Sequence, residues 1–312
     1  MDNKLIPILD LSLSEHLLVP KLRNDLKNIG FLYIKNHGIS KNIINGVIKH
    51  TKNFFNKLSN LDKKKISAKK KKSARGYFCI GDENLNNSTN KNYIDQKEGF
   101  DIGNIIFGPT FLENKIFGTK TPWPSEKILP DFQKDMNHYH NELINLSIKI
   151  LSLIALSLNL PKNYFEDKFK KPVTTLRLLH YYKNESQSDN HQGAGEHTDY
   201  GAITILLPES DGLEILDRKK KKWIKIPIVN DLLIMNIGDM MMKWSNYQYM
   251  STIHRVKISD KERYSIPFFF NPNLNTIIKP IFVKNNKIEF DAVDCKYVLE
   301  KFYINSGLLN NN

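Results

Sequence analysis

Two residues with metal-binding side chains lie two positions apart in the stretch GEHTDYGAITILL, residues 195–207. Side chains at positions i and i+2 of an extended strand point to the same face, so His197 and Asp199 would converge if this segment forms one buried strand. Burial of an imidazole and a carboxylate without partners is costly, and a bound metal ion would satisfy both groups. His254, in the later strand-like run STIHRVKI, can supply a third ligand.

Two histidines and one carboxylate form the facial triad of non-haem Fe(II) sites, which leaves coordination positions open for substrate and oxygen. Zinc hydrolases also combine two histidines with a carboxylate, but they often place them in a helical HExxH motif. The segments around His197 and His254 are typical of strands. We therefore predict an Fe(II) site, and a jelly roll with structural zinc is the alternative.

A second pair of polar residues, Arg263 and Ser265, repeats the i, i+2 spacing in the run RYSIPFFF. A guanidinium and a hydroxyl on one face are a suitable receptor for a carboxylate, and Tyr181 in LRLLHYY can add another hydroxyl. The anion could be a protein carboxylate or the far end of a dicarboxylate co-substrate. Phe269 has the same parity and is predicted to line the cavity, whereas its two phenylalanine neighbours are predicted to be core.

The elements that must position these residues are short strands. After residue 171, β-branched and aromatic runs alternate with turn signals at intervals of roughly ten residues, which predicts an all-β sandwich or barrel. The runs are TTLRLLHYY, GAITILL, GLEIL, WIKIPI, LLIMNIG, STIHRVKI and RYSIPFFF.

Helices are predicted before this region. Apolar residues at helical spacing run from Asp131, a candidate N-cap, to Pro161, which ends the pattern. The segments LVPKLRNDLKNIG, with Gly30 as its stop, and IINGVIKHTKNFFNKL have the same periodicity.

Composition restricts the class of protein. The 312 residues are 40% hydrophobic, which is enough for a substantial core. Two cysteines, far apart, make a disulfide framework or a cysteine-type zinc site unexpected, and they favour a reducing compartment. We identify no secretory signal and no apolar run long enough to span a membrane, so a cytoplasmic protein is expected.

The net charge of +13 comes partly from two lysine runs, KKKISAKKKK (residues 63–72) and DRKKKKW (residues 217–223). Such runs can bind nucleic acid or another anionic surface. They lack the interleaved aromatic residues of a single-strand-binding platform, so we interpret them as solvated turns and helix faces. A basic nucleic-acid-binding barrel remains a lesser alternative.

Over nearly its whole length the chain resembles the isopenicillin N synthase-like branch of the Fe(II)/2-oxoglutarate dioxygenases. The matching stretches occur in the family's order: IPILDLS, NIGFLYIKNHGI, ARGYFCIGDEN, DQKEGFDIG, TTLRLLHYY, GAGEHTDYGAITILL, GLEIL, NIGDMM, SNYQYMSTIHRV and RYSIPFFFNP.

This resemblance implies a mainly β fold with flanking helices around a double-stranded β-helix (jelly-roll) core. It divides the chain into an N-terminal dioxygenase segment (1–115), a long support helix region (116–170), the jelly-roll core (171–275) and a C-terminal extension (276–312). The implied reaction is oxidation of a small organic substrate with Fe(II), 2-oxoglutarate and O2, releasing succinate and CO2.

The resemblance also implies roles for individual residues. The iron ligands would be His197, Asp199 and His254. The residues that bind 2-oxoglutarate would be Arg263, Ser265 and Tyr181. One departure concerns the co-substrate contacts: Leu179 stands where plant members usually have asparagine, and Tyr182 and Lys183 replace prolines.

Two enzymatic alternatives share the same ligand motif. One is a 2-oxoglutarate-dependent ethylene/succinate-forming enzyme, and the other is an oxidase of the isopenicillin N synthase type that does not use 2-oxoglutarate. The motif does not name the primary substrate. A monomer is expected, because nothing in the sequence indicates an extended coiled-coil interface.

Overall fold

The computed structural model describes residues 6–83, 95–106, 116–183, 192–257, 260–281 and 291–307. Its strands are β1 (Ile8–Asp10), β2 (Phe31–Lys35), β3 (Gly76–Phe78), β4 (Lys97–Ile102), β5 (Val173–Tyr181), β6 (Gln192–His197), β7 (Ile203–Pro208), β8 (Leu213–Asp217), β9 (Lys222–Lys225), β10 (Leu233–Ile237), β11 (His254–Lys257), β12 (Arg263–Asn271), β13 (Ile277–Ile278) and β14 (Val293–Asp294).

The helices are α1 (Glu15–Asn28), α2 (Lys41–Lys57), α3 (Asn60–Lys65), α4 (Ala68–Lys71), α5 (Phe132–Ser157), α6 (Asp239–Trp244) and α7 (Cys295–Asn305), with a 3₁₀ turn at Asp167–Phe169. Among the described residues, no helix is both long enough and apolar enough to cross a membrane.

Two sheets build the core. The larger has the order β1-β2-β10-β7-β12-β5-β4-β3, and the smaller has the order β6-β11-β8-β9; β13 and β14 form a separate pair. Side chains from both sheets line one internal cavity, so the sheets face each other. The predicted fold class, mainly β with a jelly-roll core and flanking helices, is confirmed. The N-terminal strands β1 to β4 extend both ends of the larger sheet, beside β10 and β5.

The long helix α5 packs behind the larger sheet, where it contacts β7 and β12 as well as α1 and α2. Its periodicity was sufficient to predict it, but its start differs from the prediction. Asp131 occupies the N-cap position with a left-handed backbone (φ +57°), and its side chain makes no capping bond. Its backbone N–H instead donates to Glu126 Oε1 at 2.7 Å.

Gly30 joins α1 to β2 at a point where a side chain cannot fit. Its φ is +68°, and an added Cβ would lie 1.9 Å from the carbonyl oxygen of Met250. The glycine therefore ends the helix, as predicted, and also lets the segment before β11 pack directly on it.

One lysine of the first basic run contradicts its interpretation as solvated. Lys63 is only 5% exposed, and its Nζ lies 3.0 Å from Glu98 Oε2. Burial alone would raise the pKa of Glu98, but hydrogen bonds from His180 and Tyr77 and the charge of Lys63 outweigh it and lower the pKa to about 2. In the second run, residues 219–222 are exposed, as predicted.

Candidate active site

Three of the predicted site residues meet at one end of the smaller sheet. His197 ends β6, His254 begins β11, and the two are register partners with ring centroids 4.3 Å apart. The prediction of one continuous strand through GEHTDYGAITILL is wrong, because Asp199 lies in the turn between β6 and β7. One ligand atom from each of the three residues lies within 4.8 Å of the others, and Asp199 Oδ1 is 3.7 Å from His254 Nε2.

The turn that carries Asp199 is held by the end of β10 and the first residues of α6. The backbone N–H of Asp239 donates to the carbonyl oxygen of Asp199 at 2.7 Å, and that of Gly238 donates to Ala202 at 3.0 Å. A Cβ on Gly238 would lie 2.2 Å from the carbonyl oxygen of Gly201. This close backbone approach requires glycine and places the carboxylate beside the two imidazoles.

Backbone carbonyls orient both imidazole rings. His197 Nδ1 is 2.7 Å from the carbonyl oxygen of Gly195, and His254 Nδ1 is 3.1 Å from that of Thr252. Since a carbonyl oxygen can only accept, each Nδ1 must carry the proton, which leaves each Nε2 lone pair available to a metal ion. Burial and the neighbouring His254 lower the pKa of His197 to about 4, so its ring is neutral at pH 7.

The Asp199 carboxylate is oriented by two donors from the larger sheet. Its Oδ2 accepts from Thr204 Oγ1 at 2.6 Å and from Asn236 Nδ2 at 2.7 Å, so Oδ1 faces the imidazoles. Burial opposes ionisation, but the imidazoles and these two donors outweigh it and hold the pKa of Asp199 below its usual range. Neither donor is predicted from the sequence. An asparagine inside the buried run LLIMNIG was the available signal, because such a residue needs a buried partner.

The residues predicted to bind a carboxylate also lie together. Arg263 and Tyr181 are register partners on β12 and β5, and Arg263, Ser265 and Tyr181 are 3%, 3% and 4% exposed. The guanidinium carbon lies 4.6 Å from the Tyr181 ring centroid, and Nε donates to the carbonyl oxygen of Asp211 at 2.9 Å.

Arg263 Nη1 is buried and has no hydrogen-bond partner among the described residues. Burial lowers the pKa of Arg263, which nevertheless remains a cation at neutral pH. A buried guanidinium with an unused donor is a receptor for an anion that the described protein groups do not supply.

We name His197, Asp199 and His254 the triad. The triad, Arg263, Ser265 and Tyr181 all line one cavity of about 70 Å³, which we name the inner cavity. Its walls include Leu179, at the position where the resemblance leads one to expect asparagine, and Phe269, as parity predicted. A second cavity of similar volume, which we name the outer cavity, shares His197 and Asp199 with the inner cavity and is lined in part by Leu299, Phe302 and Tyr303 from α7.

A buried group of charged residues, which is not predicted from the sequence, adjoins both cavities. Arg177 makes a bidentate pair with Asp101 (2.7 and 2.8 Å), and its Nη1 donates to Glu83 at 2.8 Å. Lys97 Nζ lies 3.0 Å from Glu83 and 2.9 Å from Asp95. We name these five residues the charge cluster.

The backbone of one residue, Gly195, connects the charge cluster to the triad. Asp95 Oδ1 accepts from the N–H of Gly195 at 3.1 Å, and the carbonyl oxygen of the same glycine accepts from His197 Nδ1. Asp95 therefore helps to fix the position of Gly195, whose carbonyl orients a candidate ligand.

The chemistry of this donor set suits a divalent transition metal. Two imidazoles and one carboxylate present ligand atoms within 4.8 Å of one another, an arrangement that leaves positions for exogenous ligands. A separate anion receptor lies within the same cavity. Together these features accommodate a metal ion and a co-substrate with a free carboxylate.

Comparisons with known proteins agree with this chemistry. Residues 174–272 match the family model of the 2OG-Fe(II) oxygenase superfamily, and residues 6–126 match the model of the non-haem dioxygenase in morphine synthesis N-terminal domain. The 2-oxoglutarate-Fe(II) type oxidoreductase hxnY of Emericella nidulans is 32% identical over 271 residues, covering 84% of this chain and 76% of that protein. The 2-oxoglutarate-dependent dioxygenase traH of Penicillium crustosum is 30% identical and covers 99% of this chain and 96% of its own.

The same relationship extends to solved structures. A full-length Neurospora crassa protein, crystallised in complex with alpha-KG, superposes with a TM-score of 0.82 at 28% identity, covering 96% of this chain and 97% of that one. The protein is therefore an oxidoreductase that uses Fe(II), 2-oxoglutarate and O2 to oxidise a small organic molecule, releasing succinate and CO2. By sequence, fold and the donor set at its cavity, the chain belongs to the 2OG-Fe(II) oxygenase superfamily.

Proposed function

We propose that His197, Asp199 and His254 hold the Fe(II) ion and that Arg263, Ser265 and Tyr181 bind the distal carboxylate of 2-oxoglutarate. One observation carries this proposal. The convergent ligand atoms and a buried guanidinium with an unused donor lie in the same small cavity. A dicarboxylate that fills this cavity would reach both.

Each side chain then has a defined task. His197 and His254 present Nε2 because backbone carbonyls hold their Nδ1 protons, and Asp199 presents Oδ1 because two donors occupy Oδ2. Fe(II) at this position supplies the activation of O2 by which a substrate C–H bond is oxidised.

Arg263 and Ser265 set the orientation of the co-substrate by contacting its far end. The apolar wall formed by Leu179, Leu206 and Val256 limits the access of water to the reacting centre. These roles require no proton transfer by a protein side chain.

The direct test is formation of the metal–co-substrate chelate. Fe(II) and 2-oxoglutarate are added to the purified protein without oxygen, and the visible charge-transfer band is recorded. We expect a band in the wild-type protein and a greatly weakened one in Arg263→Ala at the same 2-oxoglutarate concentration.

Arg255→Ala is a matched control. It removes the same charge from β11 of the smaller sheet, but Arg255 pairs with Glu214 and Glu196 and is not among the residues that line the inner cavity. Binding of iron without any band would contradict the assignment of the co-substrate site. A variant Asp199→Ala that keeps the wild-type affinity for iron would contradict the ligand assignment.

We also propose that the protein is a cytoplasmic monomer that does not use its lysine runs to bind nucleic acid. Its exposed large hydrophobic side chains, such as Leu61, Ile148 and Tyr297, lie on separate helices, and Lys63 is buried within the fold. Sedimentation at several concentrations tests the oligomeric state. Binding of single-stranded DNA that falls steeply with salt would contradict the second claim.

The proposed division of the chain remains a core at 171–275 with an N-terminal segment (1–115), a helix region (116–170) and a C-terminal extension (276–312). Because β1 to β4 belong to the larger sheet and α7 lines the outer cavity, we expect these parts to unfold together. Two separate unfolding transitions would contradict this expectation.

A further inference from the structure

The outer cavity differs in charge from the inner one, although the two meet at the triad. They share His197, Asp199, Arg177 and Phe269 as lining residues. The inner cavity has Arg263, whose buried Nη1 has no described partner. In the outer cavity, Arg177 is the one cationic side chain among the described lining residues.

All three guanidinium nitrogens of Arg177 donate to protein carboxylates. Its Nε and Nη2 bind the two oxygens of Asp101, and its Nη1 binds both oxygens of Glu83 at 2.8 and 3.0 Å. An anion that took over either of these contacts would have to displace a buried carboxylate, since Asp101 and Glu83 are 2% and 1% exposed. Displacement would leave a buried charge without its partner, and that is strongly unfavourable.

The other buried cations near this cavity are also engaged. Lys97 is held between Glu83 and Asp95. Arg75 donates to Thr174 and Thr175, and its one unpartnered atom, Nε, lies against Gly103, where an added Cβ would be 2.0 Å away. Arg75 is not among the residues that line the outer cavity.

Aromatic rings form much of the remaining wall. Phe302 lies 5.0 Å from Tyr200 and 5.3 Å from Tyr303 by ring centroids, and Phe269 also lines the cavity. Thr198, which also lines the cavity, donates its hydroxyl to Asp239 at 3.0 Å. Such a surface favours flat, apolar rings and offers no counter-charge to a carboxylate.

We propose that the primary substrate is a small, uncharged, planar ring compound, and that it binds in the outer cavity beside the triad. This inference rests on the proposed function, since it makes the outer cavity the substrate side of the iron site. The pairing of Arg177 with Asp101 and Glu83 is the determinant that rejects substrates carrying a carboxylate.

The test compares ligands that differ only in charge or planarity. Benzamide and benzoate, and cyclohexanecarboxamide and cyclohexanecarboxylate, are titrated into the protein in the presence of saturating 2-oxoglutarate. Ligand-observed NMR gives the dissociation constants with and without metal, and perturbation of the Fe(II)–2-oxoglutarate band reports occupancy next to the iron. We expect benzamide to bind at least tenfold more tightly than benzoate and more tightly than the cyclohexane amide.

Asp101→Asn tests the mechanism of this discrimination. The substitution removes the charge that neutralises Arg177, so benzoate should bind at least tenfold more tightly than to the wild-type protein, while the affinity for benzamide stays within threefold. Glu83→Gln should act in the same direction if Asp101→Asn fails to fold. Asp231→Asn is the matched control, because it removes the same charge at an exposed ion pair with Lys41, outside both cavities.

Three results would overturn the inference: benzoate binding as tightly as benzamide to the wild-type protein, no benzamide binding within its solubility, or equal benzoate affinity in Asp101→Asn and the wild type. Failure of the proposed function has a different signature. In that case no charge-transfer band forms. The NMR dissociation constants of benzamide and benzoate, and their change in Asp101→Asn, still decide whether the outer cavity prefers an uncharged ligand.

Discussion

Replacement of Thr204 by valine removes one hydrogen bond from the triad with almost no change in shape. The lost donor is the Oγ1 hydroxyl, 2.6 Å from Asp199 Oδ2, and Thr204 is only 4% exposed. A hydrogen bond to a charged group contributes about 1.5–3 kcal/mol, which corresponds to roughly 10- to 150-fold in a binding constant. Loss of groups that orient metal ligands typically costs about 10- to 100-fold in metal affinity.

We therefore expect Thr204→Val to weaken Fe(II) binding by about 10- to 100-fold. Asn236 still donates to the same oxygen, so the carboxylate stays ionised but can rotate more freely. Thr204→Ser is the matched control: it keeps the hydroxyl and loses only a methyl group, so its affinity should stay within a fewfold of wild type.

The assay is an anaerobic equilibrium titration of Fe(II) against a chromophoric chelator that competes for the metal. Thermal unfolding of the metal-free proteins shows whether either variant has lost its fold. Wild-type affinity in Thr204→Val, or equal weakening in Thr204→Ser and Thr204→Val, would refute the conclusion that the hydroxyl orients the carboxylate.

Three further predictions concern the surrounding structure. The pKa of Glu98 is lowered from 4.5 to about 2, so its ionised form contributes at most about 3 kcal/mol of stability, present above pH 4.5 and lost as the pH falls towards 2. Glu98→Gln should be less stable than wild type at pH 7, and denaturant unfolding should show this difference in stability narrowing steadily as the pH falls from 4.5 to 2. Gly238→Ala should destabilise the protein by more than about 2 kcal/mol through its clash with Gly201, whereas Gly46→Ala, in α2 with open space around it, should stabilise by about 0.5–1 kcal/mol in the same assay. Asp95→Ala should lower Fe(II) affinity about tenfold in the chelator titration, since it removes the acceptor that holds the N–H of Gly195, the residue whose carbonyl orients a candidate ligand; unchanged affinity would contradict that role.

The sequence was most informative where chemistry depends on residues close together in a strand. Parity alone placed Arg263, Ser265 and Phe269 on one face of β12, and all three line the inner cavity. The spacing of His197 and Asp199 correctly predicted that their side chains converge, but the prediction assumed that both residues lie in one extended strand. The strand ends at His197, and contacts from α6 then turn the chain so that Asp199 returns beside it.

What the sequence did not reveal depends on long-range pairing. Thr204 and Asn236 reach Asp199 because β7 and β10 are neighbours in the larger sheet, and nothing local encodes that adjacency. The burial of Lys63 depends on Glu98 of β4, 35 positions along the chain. The local sequence of a basic run therefore does not distinguish a buried, paired lysine from an exposed one.

The position of the triad between the two sheets has a consequence for self-association. His197 and His254 belong to the smaller sheet, while Asp199 is tied to the larger one through its two donors. A bound ion would therefore cross-link the sheets and anchor β6, which lies at the edge of the described smaller sheet. An edge strand released from such an anchor exposes unpaired backbone groups to other chains. The metal-free protein should thus aggregate sooner on warming than the metal-loaded form, at equal concentration, by adding strands at β6.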